Sequence, residues 1–348
     1  MKFSVTPLFA VLFLASPAIG SPEAACKPGP VPIIFDTDMA SDCDDAGALA
    51  VLHALADRGE AQILAVMVNS GDENRASAAA ADAIDSYYGR PDIPIGVDKS
   101  IPSRPRGHSP YTLALRDEFP NDVGPDLQAP AALDVYRQTL AAQPDGSVVI
   151  CSVGAFTNLR DLMVSPPDRF SPLPGMELVK RKVRQCVLMA GEFPRSRSFD
   201  WNTHLDTAAA VAFVDDWPTP ALWSGAEVGE LIYTGTQLQA TPPANPVRRA
   251  YELRETYGKP SLVRGRRSYD QTAVLLAVRG VQPEYWKAVS GGSVVIDSEG
   301  FTAWHSGRGT LHAYIRLTCD PDVLVGVISE LMIKPPMLST KPVSKENR

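Results

Sequence analysis

Cysteine and histidine are both scarce, five of each in 348 residues. They form no C-x-x-C pair and no His/Cys cluster, so the chain lacks the ligand set of a zinc site. Positive charge is in deficit as well. Against 40 Asp and Glu stand 33 Lys and Arg, a net charge of −7, which argues against nucleic acid as the main partner. No internal repeat is present, and no linker is sharp enough to divide the chain. A composition of 45% hydrophobic and 21% charged residues is ordinary for a globular protein and excludes general disorder. The length suits one large α/β domain or two smaller ones.

The apolar run Leu8 to Ala15 is too short to cross a bilayer as a helix. Set between Lys2 and the small residues Ala18-Ile19-Gly20, it reads as the centre of a signal peptide cleaved before Ser21. The expected organisation is therefore a signal peptide over 1–20, a single domain over 21–335 and a flexible tail over 336–348. The mature protein is expected to be exported, periplasmic or secreted, with no membrane association after cleavage. Export permits disulfides, and an odd cysteine count leaves at least one unpaired within the chain. Cys151 and Cys186 lie in apolar strands and read as buried thiols, while a Cys26–Cys319 bridge stays open.

What the chain does have is a dense run of carboxylates. Val31 to Phe35 reads as a buried strand, and Ala46 to Ala56 as a helix. Between them lie Asp36, Asp38, Asp42, Asp44 and Asp45. A turn that merely caps a helix needs one aspartate or two. Five carboxylates so close together call for neutralisation, and a hard divalent cation with oxygen ligands is the usual means. An EF-hand is excluded. Counted from Asp36, Ser41 replaces the turn glycine and Gly47 replaces the bidentate glutamate. A strand followed by an acidic loop and a helix puts the cluster at a strand's carboxyl end, where ligands of open α/β sheets bind.

The same alternation continues. Gln62 to Val68 and Ile93 to Val97 read as strands around a helix over Ala76 to Tyr88, and a polar loop with Asn69 and Asp72 follows the first of them. Residues 98–128 are rich in Pro and Gly and read as an irregular stretch, either a lid carrying His108 and Tyr111 or a surface excursion. Ala131 to Ala142 reads as a helix. Strands over Ser147 to Ser152 and Gln185 to Ala190 come next, then helices over Val247 to Tyr257 and from Ser268 onward. Short strands from Ser293 to Leu317 and a helix from Pro321 to Leu331 close the chain. The fold class expected is α/β, an open, mostly parallel Rossmann-like sheet flanked by helices, with a small β-rich C-terminal extension.

Four of these stretches together resemble the inosine-uridine-type nucleoside hydrolases. They are Asp36-Thr37-Asp38 with Asp44-Asp45-Ala46, then Gly154 to Leu159, then Asp200-Trp201-Asn202 with Asp206-Thr207-Ala208-Ala209, and finally Tyr269-Asp270. The first loop is two residues longer than the common form and lacks its Pro-Gly. Where relatives often carry a histidine that protonates the leaving base, this chain has Tyr269.

The resemblance implies hydrolysis of the N-glycosidic bond of ribonucleosides to base and ribose, in purine or pyrimidine salvage. It implies Ca2+ held by Asp38, Asp45, Asp270 and the carbonyl of Val153, with Asp42 able to replace one of these. Asp38 is expected to accept the proton of the attacking water. Asp44 and Asp200 are expected near the sugar, favouring its developing positive charge. Asn202 and either Asn69 or Asp72 are expected to hold the ribose, and Trp201 or a lid aromatic to pack on the base. Asp36 is expected behind the loop, orienting it. The partner implied is a small nucleoside or related glycoside, and dimers or tetramers are common in the family. Two other readings remain at this point. One is an exported nucleoside- or carbohydrate-binding protein that keeps the metal site without turnover. The other is a phosphatase with Asp36 as nucleophile.

Overall fold

The computed structural model describes residues 29–337 apart from 41, 70, 101–108, 308 and 310, together with Met1. The expected signal peptide beyond Met1, Cys26 with its proposed bridge, His108 and the tail beyond residue 337 lie outside the described residues.

Stretches dominated by Val, Ile, Leu and Ala make strands that are largely buried on both faces, which suits a parallel sheet. Six of them are β1 (Val31–Thr37), β2 (Ala61–Val68), β3 (Ile95–Val97), β4 (Val148–Ser152), β5 (Val183–Met189) and β6 (Ala221–Ser224). With the strands His312–Leu317 and Trp286–Val289 they form one eight-stranded sheet. From one edge the order is Trp286–Val289, His312–Leu317, β6, β5, β4, β1, β2, β3. Every pairing is parallel except that of the outermost strand, Trp286–Val289, with His312–Leu317. Ile33, Ile34 and Phe35 of the central strand are fully buried, a contribution of about 1.5–3 kcal/mol per side chain. Their alternate orientation feeds two cores, one on each face of the sheet.

The chain leaves β1 toward β2 and β3 on one side and returns to β4, β5 and β6 on the other. The order therefore reverses between β1 and β4, the position where an open α/β sheet leaves a crevice at its carboxyl edge.

Helix α1 (Asp44–Asp57) is buried all round from Asp44 to Leu55, as expected of a helix with no polar stripe. It packs against the helices Tyr269–Arg279 and Pro321–Met332. Gly47 allows that approach, because a Cβ there would lie 2.4 Å from Gln271 Nε2 and 2.7 Å from the Tyr251 hydroxyl. The first turns of α1 and of Tyr269–Arg279 are thereby brought together.

The irregular stretch expected over 98–128 contains a helix, Thr112–Glu118. Tyr111 is no lid residue: it is fully buried, with its hydroxyl 3.7 Å from Met39 Sδ. The strand His312–Leu317 belongs to the main sheet, so only the hairpin Gly292–Ile296/Thr302–Ser306 stands apart at the C-terminal end. Helix Gly175–Lys182 and strand Trp286–Val289 were not anticipated. The first is largely charged and the second is a four-residue edge, so neither carries a strong periodic signal. Cys43, Cys151 and Cys186 are buried free thiols.

Candidate active site

The crevice between β1 and β4 opens into a cavity of about 290 Å³. Asp38, Asp42, Asp44, Asp45 and Asp270 line it, with Val153, Asp200, Trp201, Asn202 and Tyr269. Carboxylate oxygens of Asp44, Asp45 and Asp270 lie within 4.8 Å of one another. Asp44 and Asp45 come from the first turn of α1, and Asp270 from the first turn of the facing helix. Both helix N-termini favour negative charge there. Asp44 had been expected beside the sugar; its oxygens meet those of Asp45 and Asp270.

The loop between β1 and α1 is held in a strained shape. Met39 has a φ of 42°, a left-handed conformation uncommon for a residue with a side chain. Its N–H donates to Thr37 Oγ1 at 3.0 Å and to Asp45 Oδ1 at 3.1 Å. The Thr37 hydroxyl donates to the same Asp45 oxygen. These contacts fix one oxygen of Asp45 and hold Asp38 toward the cavity.

Burial raises the Asp38 pKa to about 7, reinforced by the Asp44 charge. Asp44, Asp45 and Asp270 are likewise pushed well above the usual carboxylate range, first by burial and then by neighbouring aspartates. A cation would remove that penalty. All the donors are hard oxygens, four carboxylates and the Val153 carbonyl, so the residues present fit a hard divalent cation. Asp42 is different. Its carboxylate accepts from Arg266 Nε at 2.7 and 2.6 Å, from Arg266 Nη2 and from the Cys43 N–H. It is occupied by a guanidinium and is not one of the converging oxygens.

Asp36 lies behind the loop and is fully buried. It accepts hydrogen bonds from Asn69 Nδ2 at 2.6 Å, Asn158 Nδ2 at 3.1 Å and the Tyr136 hydroxyl at 2.7 Å. Burial raises its pKa to about 7 against those three bonds. Both oxygens are committed and closed off, which removes it as the nucleophile of a phosphatase. Asn158 thus helps to hold Asp36.

Asn69 and Asp72 do not line the cavity. The Asn69 amide donates to Asp36 and to the Ala155 carbonyl and accepts from the Ala155 N–H. Asp72 accepts from Thr112 Oγ1 at 2.8 Å and lies under the N–H groups of Asn74 and Ser109. Both act as braces. Asp200 caps the short helix Trp201–Leu205 through the Thr203 N–H at 2.9 Å and still lines the cavity. Asn202 donates to the carbonyls of Val153 and Met189. Trp201 is half exposed at the rim, edge-on to Phe199 with ring centres 5.0 Å apart. Asp206 caps the helix Thr207–Asp216 by accepting from the Ala209 N–H.

Residues that sequence reasoning passed over also line the cavity, among them Glu192, Glu230, Arg254, Arg266 and Arg267. The one signal was position, since Arg266-Arg267 stands directly before Ser268-Tyr269-Asp270. Arg267 Nη1 donates to the Tyr269 hydroxyl at 3.1 Å.

A family model described as inosine-uridine preferring nucleoside hydrolase matches residues 33–322. None of the curated proteins matches the sequence. Among solved structures, an inosine-uridine preferring nucleoside hydrolase from Bacillus anthracis is 15% identical with a TM-score of 0.64, covering 87% of this chain and 99% of its own. An inosine-guanosine nucleoside hydrolase is 17% identical with a TM-score of 0.63, covering 87% and 98%. The type III effector XopQ, solved with adenosine diphosphate ribose, is 14% identical with a TM-score of 0.64, covering 88% and 95%. At such identities the likeness is one of fold.

Proposed function

The chain belongs to the inosine-uridine preferring nucleoside hydrolase family, a family of N-glycosidases, and we propose that it hydrolyses ribonucleosides to free base and ribose at a Ca2+ site. The convergence of Asp44, Asp45 and Asp270 on one point of the cavity, with Asp38 beside them, carries this reading. Asp38, Asp45, Asp270 and the Val153 carbonyl would hold the ion, with Asp44 on its flank. When bound, such an ion supplies Lewis acidity and makes water a better nucleophile near neutral pH.

Asp38 accepts the proton of the water that attacks the anomeric carbon. Asp200 at the cavity wall, with Asp44 on the ion's flank, would favour the positive charge of the sugar as it gains oxocarbenium character. The Asn202 carbonyl oxygen is left for a ribose hydroxyl, its amide hydrogens being committed to the backbone. Trp201 offers a ring at the rim for the base. The Tyr269 hydroxyl, which accepts from Arg267, stands beside Asp270 as a hydrogen-bond donor for the departing base.

The test is reducing-sugar release from a panel of purine and pyrimidine ribonucleosides, in added Ca2+ or in EDTA, for wild type and Asp38→Ala. Release that is lost with EDTA and with the substitution supports the reading. Binding of Ca2+ and nucleoside without release from any member overturns it in favour of a binding protein. The export reading of residues 1–20 is tested separately, by N-terminal sequencing of the secreted chain, with Ser21 expected first.

A further inference from the structure

We propose that the pairing of Arg266 with Asp42 clamps together the two chain segments that supply the converging carboxylates, which makes Arg266 a positioning residue for the ion site. This rests on the Ca2+ reading and adds to it a residue that acts through others.

The carboxylates come from two places. Asp38 lies in the connection between β1 and α1, Asp44 and Asp45 open α1, and Asp270 opens the helix Tyr269–Arg279. Asp44 and Asp270 are 226 positions apart in the chain. Carboxylates this close repel one another, so without an ion they press the two segments apart. The connection has little rigidity of its own. Residues 39–43, Met39-Ala40-Ser41-Asp42-Cys43, include no proline to fix the backbone, and Cys43 gives α1 no side-chain cap.

Arg266 supplies the restraint. Its Nε donates to both Asp42 oxygens, at 2.7 and 2.6 Å, and its Nη2 donates to Asp42 Oδ2. Asp42 stands two residues before Asp44, and Arg266 stands four before Asp270. Each partner is fixed locally. Asp42 accepts from the Cys43 N–H at 2.7 Å, and its own N–H donates to the Ala40 carbonyl at 2.7 Å. Arg266 pairs in antiparallel register with Thr234. Just beyond it, the Ser268 N–H donates to the Ile232 carbonyl at 2.9 Å, and the Ser268 and Thr234 hydroxyls are 2.7 Å apart. The side chains of Arg266 and Asp42 are only 22% and 18% exposed, so the solvent and salt that weaken surface pairs reach this one less. Two guanidinium nitrogens on one carboxylate set an angle as well as a distance, which a lysine ammonium cannot do.

The experiment is calorimetric titration of Ca2+ into the mature protein, comparing Arg266→Met, Asp42→Asn and the double variant with wild type. Charge alone predicts opposite effects: loss of Arg266 would tighten Ca2+ binding, and loss of the Asp42 charge would weaken it. A clamp predicts one sign. Both single variants are expected to bind Ca2+ about tenfold more weakly or worse, and the double variant no more weakly than the worse single one. Arg266→Lys is expected between wild type and Arg266→Met. Arg249→Met breaks a two-nitrogen pair with Glu118 outside the cavity and is expected to leave the affinity unchanged. Unchanged or tighter binding in Arg266→Met, losses that add in the double variant, or an equal loss in Arg249→Met overturns the clamp. Hydrogen exchange in EDTA reads the clamp without the ion. Amides of residues 42–46 and 268–272 are expected to exchange about tenfold faster or more in Arg266→Met, with those of β5 unchanged. Wild-type exchange in both segments overturns the clamp. A wild-type protein that binds no Ca2+, while Arg266→Met still loosens both segments, overturns the ion reading and leaves the clamp standing.

Discussion

The side-chain amide of Asn202 donates to two main-chain carbonyls at once, Val153 at 2.9 Å and Met189 at 2.8 Å. Those carbonyls follow β4 and end β5, so one side chain ties two neighbouring strand ends together. The Val153 carbonyl is also the backbone oxygen expected at the ion. Replacing Asn202 by Asp sets a carboxylate against two carbonyl oxygens in a buried place, where unpaired acceptors are costly. Asn202→Asp is expected to weaken Ca2+ binding by tenfold or more as well as to lower activity, measured by calorimetric titration. Unchanged Ca2+ affinity would show that the Val153 carbonyl takes no part in the ion site.

The acidic cluster gives stability a pH dependence of known sign. The folded pKa of Asp38 lies near 7 because of burial and then the Asp44 charge, and those of Asp44, Asp45 and Asp270 are raised as well. A carboxyl whose pKa is higher in the folded state keeps its proton longer there than in the unfolded chain. Its contribution is fully present below about pH 4 and is lost as pH rises toward 7. In EDTA the Tm is therefore expected to fall between pH 5 and 7.5, by about 3 °C or more. Millimolar Ca2+ should reverse the slope, because the ion requires ionised carboxylates. Thermal unfolding at three pH values with and without Ca2+ decides it; a flat profile in EDTA would mean that the cluster is not under electrostatic stress.

Asn69 was expected, as an alternative to Asp72, to hold the ribose, yet its amide hydrogens go to Asp36 and the Ala155 carbonyl and its oxygen accepts from the Ala155 N–H. Asn69→Ala removes one of the three donors to a buried carboxyl and leaves the Ala155 N–H unpaired. The expected cost is about 2–3 kcal/mol of stability, with KM for nucleoside changed less than twofold. Urea unfolding and steady-state kinetics measure the two separately. A large rise in KM at unchanged stability would restore Asn69 to the sugar.

The sheet and most of its helices were legible because their signal is local. Unbroken apolar runs such as Gln62–Val68 and Val148–Ser152 permit few other structures. The acidic loop was legible because clustered carboxylates need a partner. What stayed hidden depends on contacts between distant parts of the chain. The pairing of Asp42 with Arg266 crosses more than 200 positions, and no periodicity predicts it. Asn69 and Asp72 sit in a polar loop that follows a strand, as binding residues do. Only the neighbours Asp36, Ala155 and Thr112 show that the loop braces the site from behind.

Gly154 offers a sharp test of how finely Asp38 is placed. A Cβ at this position would lie 2.7 Å from the Asp38 nitrogen, 3.0 Å from the Thr37 carbonyl carbon and 2.6 Å from Asn69 Oδ1. Two of these are backbone atoms of the β1 loop, and they cannot rotate away as a side-chain end could. The loop itself must move, carrying Asp38 with it. Gly154→Ala is expected to cost about 1–3 kcal/mol of stability through overpacking. The larger effect should fall on turnover, because a displacement on the order of 1 Å at a catalytic group can reduce the rate about a hundredfold. With Asn202 and Asp200 untouched, kcat should fall at least tenfold while KM changes little. Kinetics on the folded variant, checked by circular dichroism, give the answer. A fully active Gly154→Ala protein would mean that the β1 loop yields without cost and that Asp38 needs no such exact support.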